Sequence, residues 1–416
     1  MTHQPAARDR DTGTPAGLAV TPAFMLLISV RLNGAFRGFD APPPEVSPLP
    51  ADEIHAYAAN LLEFERRLLG NAFLETRRLT RWPFGRIALG HPVGSETGEP
   101  AHADVYLLLH TSGMAVWEIW LPAPTQPFDA TRWIGWLDPE ADGSLVARVW
   151  NVLSSANRGI TGKAAWSGMY LPLTLLHLPL DSIASLVAQH GADLVRLLFL
   201  DRSHSAMKPA LVAAALARDY CARESGMTLL ARGSGLDVHD RDDFADEALP
   251  AGRPPKSALP FLITLELLLL EHAVLQQLYD RLSRHMPTSV EELIVVKAQA
   301  LDGLEEYYGA ITKATRFSDA VTADGERLLG LEDTYHAVME RLDAVSFTIT
   351  TRSQRHVTLL QFWLTIVFGA SELGFIAASI ATWYYRTGLG AVLAWTIGTS
   401  LVTGLALAAL LKGKVE

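Results

Sequence analysis

The feature that most constrains this chain is a pair of apolar runs near its C-terminal end, separated by a short break. Residues 357–385 are apolar apart from a few hydroxyls, Gln361 and Glu372, and residues 391–411 carry no charge. A helix needs about 20 apolar residues to cross a bilayer, and within the bilayer it satisfies its own backbone polar groups. The sequence therefore predicts two transmembrane helices joined by a tight turn at residues 386–390.

Basic residues predict the orientation of this transmembrane hairpin. Arg352 and Arg355 precede the first run and Lys412 and Lys414 follow the second, whereas the connection contains only Arg386. Positive residues near membrane segments remain on the cytoplasmic side. We therefore expect a multi-pass protein of the inner (cytoplasmic) membrane with both termini in the cytoplasm. The outer loop, which would form the mouth of any pore between the spans, then contains Tyr384, Tyr385 and Arg386.

One face of the first predicted span is polar. Its members recur at helical spacing: Thr358, Gln361, Thr365, Glu372, Ser379 and Thr382. A carboxylate inside a membrane is costly, so Glu372 is expected to face protein or water. Two interpretations remain open. Either the polar faces of several copies surround a water-filled pore that attracts cations, or a protonated or hydrogen-bonded Glu372 locks the hairpin of its own chain.

Upstream of the first span, apolar residues recur in steps of three and four, as in a coiled-coil seam. They are Leu328, Leu331, Tyr335, Val338, Leu342, Val345 and Ile349. The seam could pack on its own domain or associate with other copies of the chain. Its continuity with a membrane segment favours a homo-oligomer assembled around an axis.

The N-terminal part has the pattern of an α/β domain. A strand is expected at Phe24–Val30 in preference to a signal peptide, since the stretch contains Pro22 and lacks a small-residue cleavage site. A helix at 52–69, a hairpin around residues 111–113 and a strand beginning at Leu194 follow. The tryptophans of this part are expected in its core rather than in a ligand cage.

The predicted fold is an α/β cytosolic domain, a long α-helical stalk and a C-terminal two-helix transmembrane hairpin. An apolar helix from Leu259 is expected to be buried rather than to span, because Glu266 and Glu271 interrupt it. The predicted segments are a disordered tail (1–20), the α/β domain (21–236), an acidic then Pro/Gly-rich linker (237–257), the stalk (258–356), the first span (357–385), the loop (386–390), the second span (391–411) and a cytosolic tail (412–416).

Several function classes find little support. A net charge of −10 without a basic cluster argues against nucleic acid as a partner. Phosphate-binding, zinc-protease and nucleophile-elbow motifs are absent from the sequence, so we do not expect an enzyme. Cys221 is the single cysteine, which excludes an intrachain disulfide. No cofactor is firmly indicated.

An acidic segment offers a weak candidate for a regulatory divalent metal site. Its residues are Asp237, His239, Asp240, Asp242 and Asp243. Their spacing fits no defined metal-binding loop, and a solvated linker explains the same composition. Both interpretations remain open.

The order of these parts resembles the CorA-like divalent metal ion transporters, most clearly over residues 258–416. The shared layout is a large α/β domain, a helical stalk continuous with a first span, a very short outer loop, a second span and a short basic tail. The resemblance implies a pentameric funnel with the first span lining the pore and Mg²⁺ or a related divalent cation as the transported ion.

One motif departs from that family. Its Gly-Met-Asn sequence, which helps to select the ion, is missing here, where residues 381–388 read ATWYYRTG. The resemblance therefore extends to the architecture and not to magnesium selectivity. The function expected is a CorA-like cation channel or transporter. The alternative is a ligand-gated membrane effector whose cytosolic domain binds a small regulatory ligand and opens a poorly selective pore.

Overall fold

The computed structural model describes most of the 416-residue chain. The described residues are 18–32, 45–75, 79–90, 98–141, 143–156, 170–179, 182–203, 205–240, 258–284, 287, 289, 291–298, 315–385 and 388–415. Contacts divide the chain into two compact units. Unit 1 contains residues 1–285 and 295–339, and unit 2 contains residues 286–294 and 340–416.

A single 9-stranded sheet forms the centre of unit 1. Its order is β2-β3-β4-β5-β1-β7-β9-β8, with β6 paired to the start of β1. The β7–β9 pairing is parallel and the others are antiparallel. The strands are β1 (Ala19–Arg31), β2 (Val46–Ser47), β3 (Leu79–Ala88), β4 (His102–His110), β5 (Met114–Pro122), β6 (Gln126–Pro127), β7 (Tyr170–Leu178), β8 (Gly226–Leu230) and β9 (Gly235–Asp240).

Helices complete both units. They are α1 (Ala51–Glu75), α2 (Ala130–Leu137), α3 (Leu145–Ala156), α4 (Ile183–Phe199), α5 (Pro209–Leu216), α6 (Leu259–Arg284), α7 (291–298), α8 (Arg316–Leu329), α9 (Leu331–Tyr385) and α10 (Leu389–Val415). The α/β class expected from the sequence is confirmed for the N-terminal part.

Alternate residues of the central strands pack against helices on one face of the sheet. Phe24 of β1 contacts the rings of Trp133 and Trp136 from α2, at centroid distances of 5.7 and 5.8 Å. Trp117 of β5 is fully buried in the same cluster. The expectation that these tryptophans belong to the core is confirmed, because edge-to-face aromatic packing fixes α2 against the sheet.

The other residues of β1 and β5 lie on the face that α6 covers, and α6 also contacts α1 and α8. Three described helices are long and apolar enough to cross a membrane: α6, part of α9 and part of α10. Burial separates them, since 83% of the apolar window of α6 is buried and none of that of α10. The expectation of a buried helix at α6 is confirmed.

Several predicted elements differ from the structure. The run from Leu194 is the second half of α4 and not a strand, because a short apolar run fits a buried helix as well as a buried strand. The first helix continues past Gly70 to Glu75. The spacing of its apolar residues also predicts that Ala58 and Leu62 are buried, whereas both are exposed and Tyr57 is buried.

The predicted segment boundaries also shift. Residues 237–240 of the predicted linker lie in β9, and 241–257 are outside the described residues. Helix α6, predicted to begin the stalk, belongs to unit 1 with the sheet. The connection between α9 and α10 is residues 386–388, and Lys412 and Lys414 lie within α10 rather than in a tail.

Candidate functional site

Helices α9 and α10 pack through small residues. A β-carbon built on Gly374 would overlap Oγ of Ser400 and lie 2.8 Å from the carbonyl oxygen of Thr396. One turn away on α9, Ala370 is buried, and its β-carbon lies 3.6 Å from the β-carbon position of Gly404. Small residues let helix backbones approach closely in lipid, where apolar burial gives no driving force. This contact forms the inner face of the hairpin.

Most of the predicted pore-lining residues of α9 point away from this contact. At about 100° per residue, Glu372 and Gly374 point about 160° apart. Every predicted pore-lining residue is exposed in the single chain: Thr358, Gln361, Thr365, Glu372, Ser379 and Thr382. We call this surface the polar stripe. The structure therefore brings the six residues onto one face and leaves that face uncovered by α10.

Two residues of the polar stripe differ from the others in their hydrogen bonding. The hydroxyls of Thr358, Thr365 and Ser379 each donate to the carbonyl four residues earlier at 2.8 Å, as Thr382 does at 2.7 Å. The side chains of Gln361 and Glu372 have no hydrogen bond to a described residue. Hydroxyls bonded in this way tolerate lipid, whereas a free amide and a carboxylate need polar surroundings.

The predicted outer mouth lies at the end of α9. Trp383 is 83% exposed, and Tyr384 and Tyr385 form the last backbone turn of the helix. The side chains of both tyrosines, and Arg386 as a whole, are outside the described residues. Gly388 accepts a hydrogen bond from Ala391 at 3.0 Å as α10 begins. Because α10 begins at Leu389, the connection comprises residues 386–388 rather than the predicted 386–390.

The predicted coiled-coil seam is divided between two helices. Leu328 belongs to α8, which ends at Gly330 with a φ of 68°, and the six later members belong to α9. Leu331, Val338, Leu342, Val345 and Ile349 are buried within the single chain, and Leu328 and Tyr335 are half-buried. The seam is therefore not an open surface. Self-association through the seam loses its main support, and the oligomer itself stays a prediction.

Strand β9 holds the described members of the predicted metal site. Asp237 and His239 are buried, with Nε2 of His239 2.7 Å from a carboxylate oxygen of Asp237, and Oγ1 of Thr228 donates to Asp237 at 2.6 Å. Asp240 points to the other face of the strand. Asp242 and Asp243 are outside the described residues. No described residues form a group of three or more metal-ligating side chains, and the regulatory metal site stays a prediction.

A buried charge cluster is present that sequence reasoning missed. Arg81 of β3 donates to both carboxylate oxygens of Glu266 on α6, at 2.9 and 2.7 Å, and contacts Glu118 of β5. Glu118 is fully buried and accepts hydrogen bonds from Tyr57 and, at 2.7 Å, from Trp120. These residues come from four elements far apart in sequence, so no local pattern indicated them.

The electrostatics of this cluster are those of a structural clamp. Burial raises the pKa of Glu266, and the Arg81 guanidinium opposes that shift. Burial also raises the pKa of Tyr57, so its hydroxyl remains a donor at neutral pH. Because Glu118 is fully enclosed, no substrate reaches the carboxylate, and the cluster holds α1 and α6 against the sheet.

Unit 1 also has an open cavity of about 510 Å³ beside the C-terminal half of α6. Its walls carry groups that can bind a polar small molecule: Arg31, His272, Gln276, Gln277, Asp280 and Arg284. Ser29, Val30, Met114 and Ala273 complete them. The volume falls in the range of small-molecule sites, roughly 300–1,000 Å³.

Comparisons with known proteins add no relative from which a function could be inferred. No protein-family model, no curated protein and no solved structure matches the chain. The chain's own residues, chiefly the polar stripe on α9, are therefore the basis for a proposed function.

Proposed function

We propose that this chain is a homo-oligomeric membrane protein in which the α9 helices of several copies surround a cation pathway. The observation that carries the proposal is the polar stripe, which holds a carboxylate and an amide without described partners on the face of α9 that α10 does not cover. A second copy or water must then complete the surroundings of Glu372.

The energetics favour association over exposure to lipid. A charged side chain at the centre of a single span costs about 2.5–3.5 kcal/mol on insertion scales. Residues that line a shared axis face water and avoid this cost. The alternative in which Glu372 locks its own hairpin is disfavoured, since Glu372 lies opposite to the contact with α10.

The ion follows from the charge of the stripe. A ring of Glu372 carboxylates attracts cations, and the hydroxyls and Gln361 offer oxygen ligands that suit hydrated metal ions. The resemblance to CorA-like transporters supplies Mg²⁺ and fivefold symmetry as working assumptions. The missing Gly-Met-Asn motif leaves Glu372 as the residue most able to discriminate among ions.

The test is ion flux into liposomes that contain the purified full-length protein. We expect cation flux, measured for Mg²⁺, other divalent cations and K⁺ in turn, to fall at least tenfold or to change its ion preference in Glu372→Gln. Glu140→Gln is the matched control, because Glu140 is 82% exposed in unit 1, and its flux should equal that of the wild type. Equal flux in wild type and Glu372→Gln, with both proteins folded, would contradict the proposal.

The cavity beside α6 favours a second candidate function, the ligand-gated effector. Its polar groups suit a small regulatory molecule, and α6 packs directly on the sheet. The same liposomes distinguish the two candidates. Unselective flux that appears only after a deproteinised low-molecular-weight cell extract is added on the cytosolic side would support the effector.

A further inference from the structure

Helix α6 carries two buried glutamates with opposite surroundings. Glu266 and Glu271 are 1% and 2% exposed. Both carboxylate oxygens of Glu266 accept hydrogen bonds from Arg81. Oε1 of Glu271 has no hydrogen-bond partner among the described residues. A buried carboxylate without a partner is unfavourable when ionised, so Glu271 needs a compensating charge.

Among the described residues, the groups that face Glu271 do not supply that charge. Across the α6–α8 contact the ionisable neighbour is Glu326, and Glu332 at the start of α9 adds further negative potential there. Arg327 of α8 pairs with Asp324. On the sheet side, Arg81 is engaged by Glu118 and Glu266, with Glu65 from α1 3.7 Å away. His272 follows Glu271 on α6, and burial lowers the pKa of that imidazole, which keeps it neutral.

We infer that Glu271 and Glu326 form a proton-binding pair in the contact between α6 and α8, and that release of the proton loosens that contact. A proton is favoured over a metal ion, because no described residues form a group of three metal-ligating side chains. The pair is independent of the pathway proposed for α9.

The close packing of this contact makes it sensitive to charge. A β-carbon built on Gly325, next to Glu326, would overlap Cδ1 of Leu268, which lies one turn before Glu271. The rings of Phe261 and Phe317 also meet across the two helices, with centroids 6.4 Å apart. Negative charges on Glu271 and Glu326 repel each other, and the enclosed Glu271, unlike the half-buried Glu326, cannot gain water without separating the helices.

The direction of the pH dependence follows from linkage. Burial and, to a smaller extent, Glu326 raise the pKa of Glu271 to about 8, whereas an unfolded glutamate has a pKa of about 4.3. Between these values the folded protein binds more protons than the unfolded protein, so stability falls as pH rises. The stabilisation is complete below about pH 4.3 and is lost as pH passes through about 8.

The position of the pair gives it a regulatory meaning. Helix α8 ends at Gly330, and α9 begins at the next residue and continues into the predicted first span. A change in the packing of α8 is therefore adjacent in the chain to the helix that carries the polar stripe. Cytosolic pH in the neutral to mildly alkaline range would alter the fraction of molecules with a firmly packed α8.

The experiment measures the midpoint of thermal unfolding of the full-length protein in detergent between pH 5.5 and 9. We expect the wild-type midpoint to fall by roughly 5 °C or more over this range. Glu271→Gln should lose most of this dependence and exceed the wild type at the alkaline end. Glu326→Gln should make the fall smaller and end it at lower pH, because the Glu326 carboxylate raises the pKa of Glu271. Glu140→Gln should follow the wild type.

Other outcomes would overturn the inference. They are an unchanged pH profile in Glu271→Gln and, should that variant fail to fold, an unchanged profile in Glu326→Gln. Millimolar Mg²⁺ is added to the wild type at alkaline pH as a further test. If it restores the unfolding midpoint there, and has no such effect on Glu271→Gln, the bound ion is a metal and not a proton. Hydrogen exchange of residues 316–329, corrected for intrinsic rates, locates the change and should rise with pH only in proteins that retain Glu271.

Discussion

At the scale of single residues, Arg81 brings together carboxylates from three elements of unit 1. Its guanidinium binds two buried carboxylates, one on β5 and one on α6, and lies 3.7 Å from a third on α1. One positive charge therefore compensates carboxylates from three elements. An intact buried cluster of this kind contributes little net stability. Removing one partner nevertheless lowers the free energy of unfolding strongly, because the remaining charge is buried without a counterion.

We expect Arg81→Ala to lower the free energy of unfolding of unit 1 by about 3–5 kcal/mol because Glu118 and Glu266 lose their counterion. Thermal unfolding followed by circular dichroism measures this loss. Arg67→Ala is the matched control, because Arg67 is 66% exposed and contacts Glu63 and the ring of Phe64 on its own helix. Its effect should be below about 1 kcal/mol. Equal losses in the two variants would contradict the role assigned to the cluster.

At the scale of elements, the hairpin of α9 and α10 depends on the absence of a side chain at Gly374. The atoms nearest to a β-carbon there are Oγ of Ser400 and the carbonyl oxygen of Thr396, and the carbonyl cannot rotate away. Gly369 lies on the same helix, and a β-carbon built on it meets nothing within 4 Å. The two glycines therefore form a natural pair for comparison.

We expect Gly374→Ala to destabilise the hairpin by about 1–3 kcal/mol through overpacking. Gly369→Ala should be neutral or slightly stabilising, because alanine favours a helix over glycine by about 1 kcal/mol. Unfolding of each variant in mixed micelles, at increasing concentrations of a denaturing detergent, measures the two changes in stability. If Gly374→Ala is as stable as Gly369→Ala, the small-residue contact does not hold the hairpin together.

At the scale of the whole molecule, the homo-oligomer that we propose would assemble through the polar stripe rather than through the coiled-coil seam. Most of the seam is buried within one chain, whereas the stripe is exposed along the predicted first span. Polar residues that face other helices in a membrane stabilise association by about 0.6–2 kcal/mol each. The oligomer proposed here should therefore depend on Gln361 and Glu372.

We expect the double variant Gln361→Leu with Glu372→Leu to reduce the number of subunits per particle, measured by native mass spectrometry of the protein in nanodiscs. Apolar replacements remove the need for each chain to shield a carboxylate and an amide from lipid. Thr399→Val is the control, because the hydroxyl of Thr399 bonds to the Trp395 carbonyl on α10 at 2.6 Å. An unchanged subunit number in the double variant would point to a different interface.

Local patterns predicted much of the fold. The apolar runs predicted α9 and α10, the three-four spacing put the six polar residues on one face of α9, and charges within the apolar run predicted that α6 is buried. Each of these follows from the composition and period of one continuous segment. The same period could not reveal that Gly330 divides the seam, since a single left-handed residue leaves the apolar spacing intact.

Tertiary structure alone decided the rest. The apolar run at Leu194 became a helix because it packs beside α2 on the sheet, and short apolar runs fit either structure. Arg81 met Glu118 and Glu266, and Glu271 met Glu326, through contacts between elements far apart in the chain. The sequence by itself determined which segments are helical, apolar or polar on one face. The packing of the elements decided which charged residues are buried next to each other. Such pairs join residues from distant segments, and the spacing within one segment does not encode the distance between them.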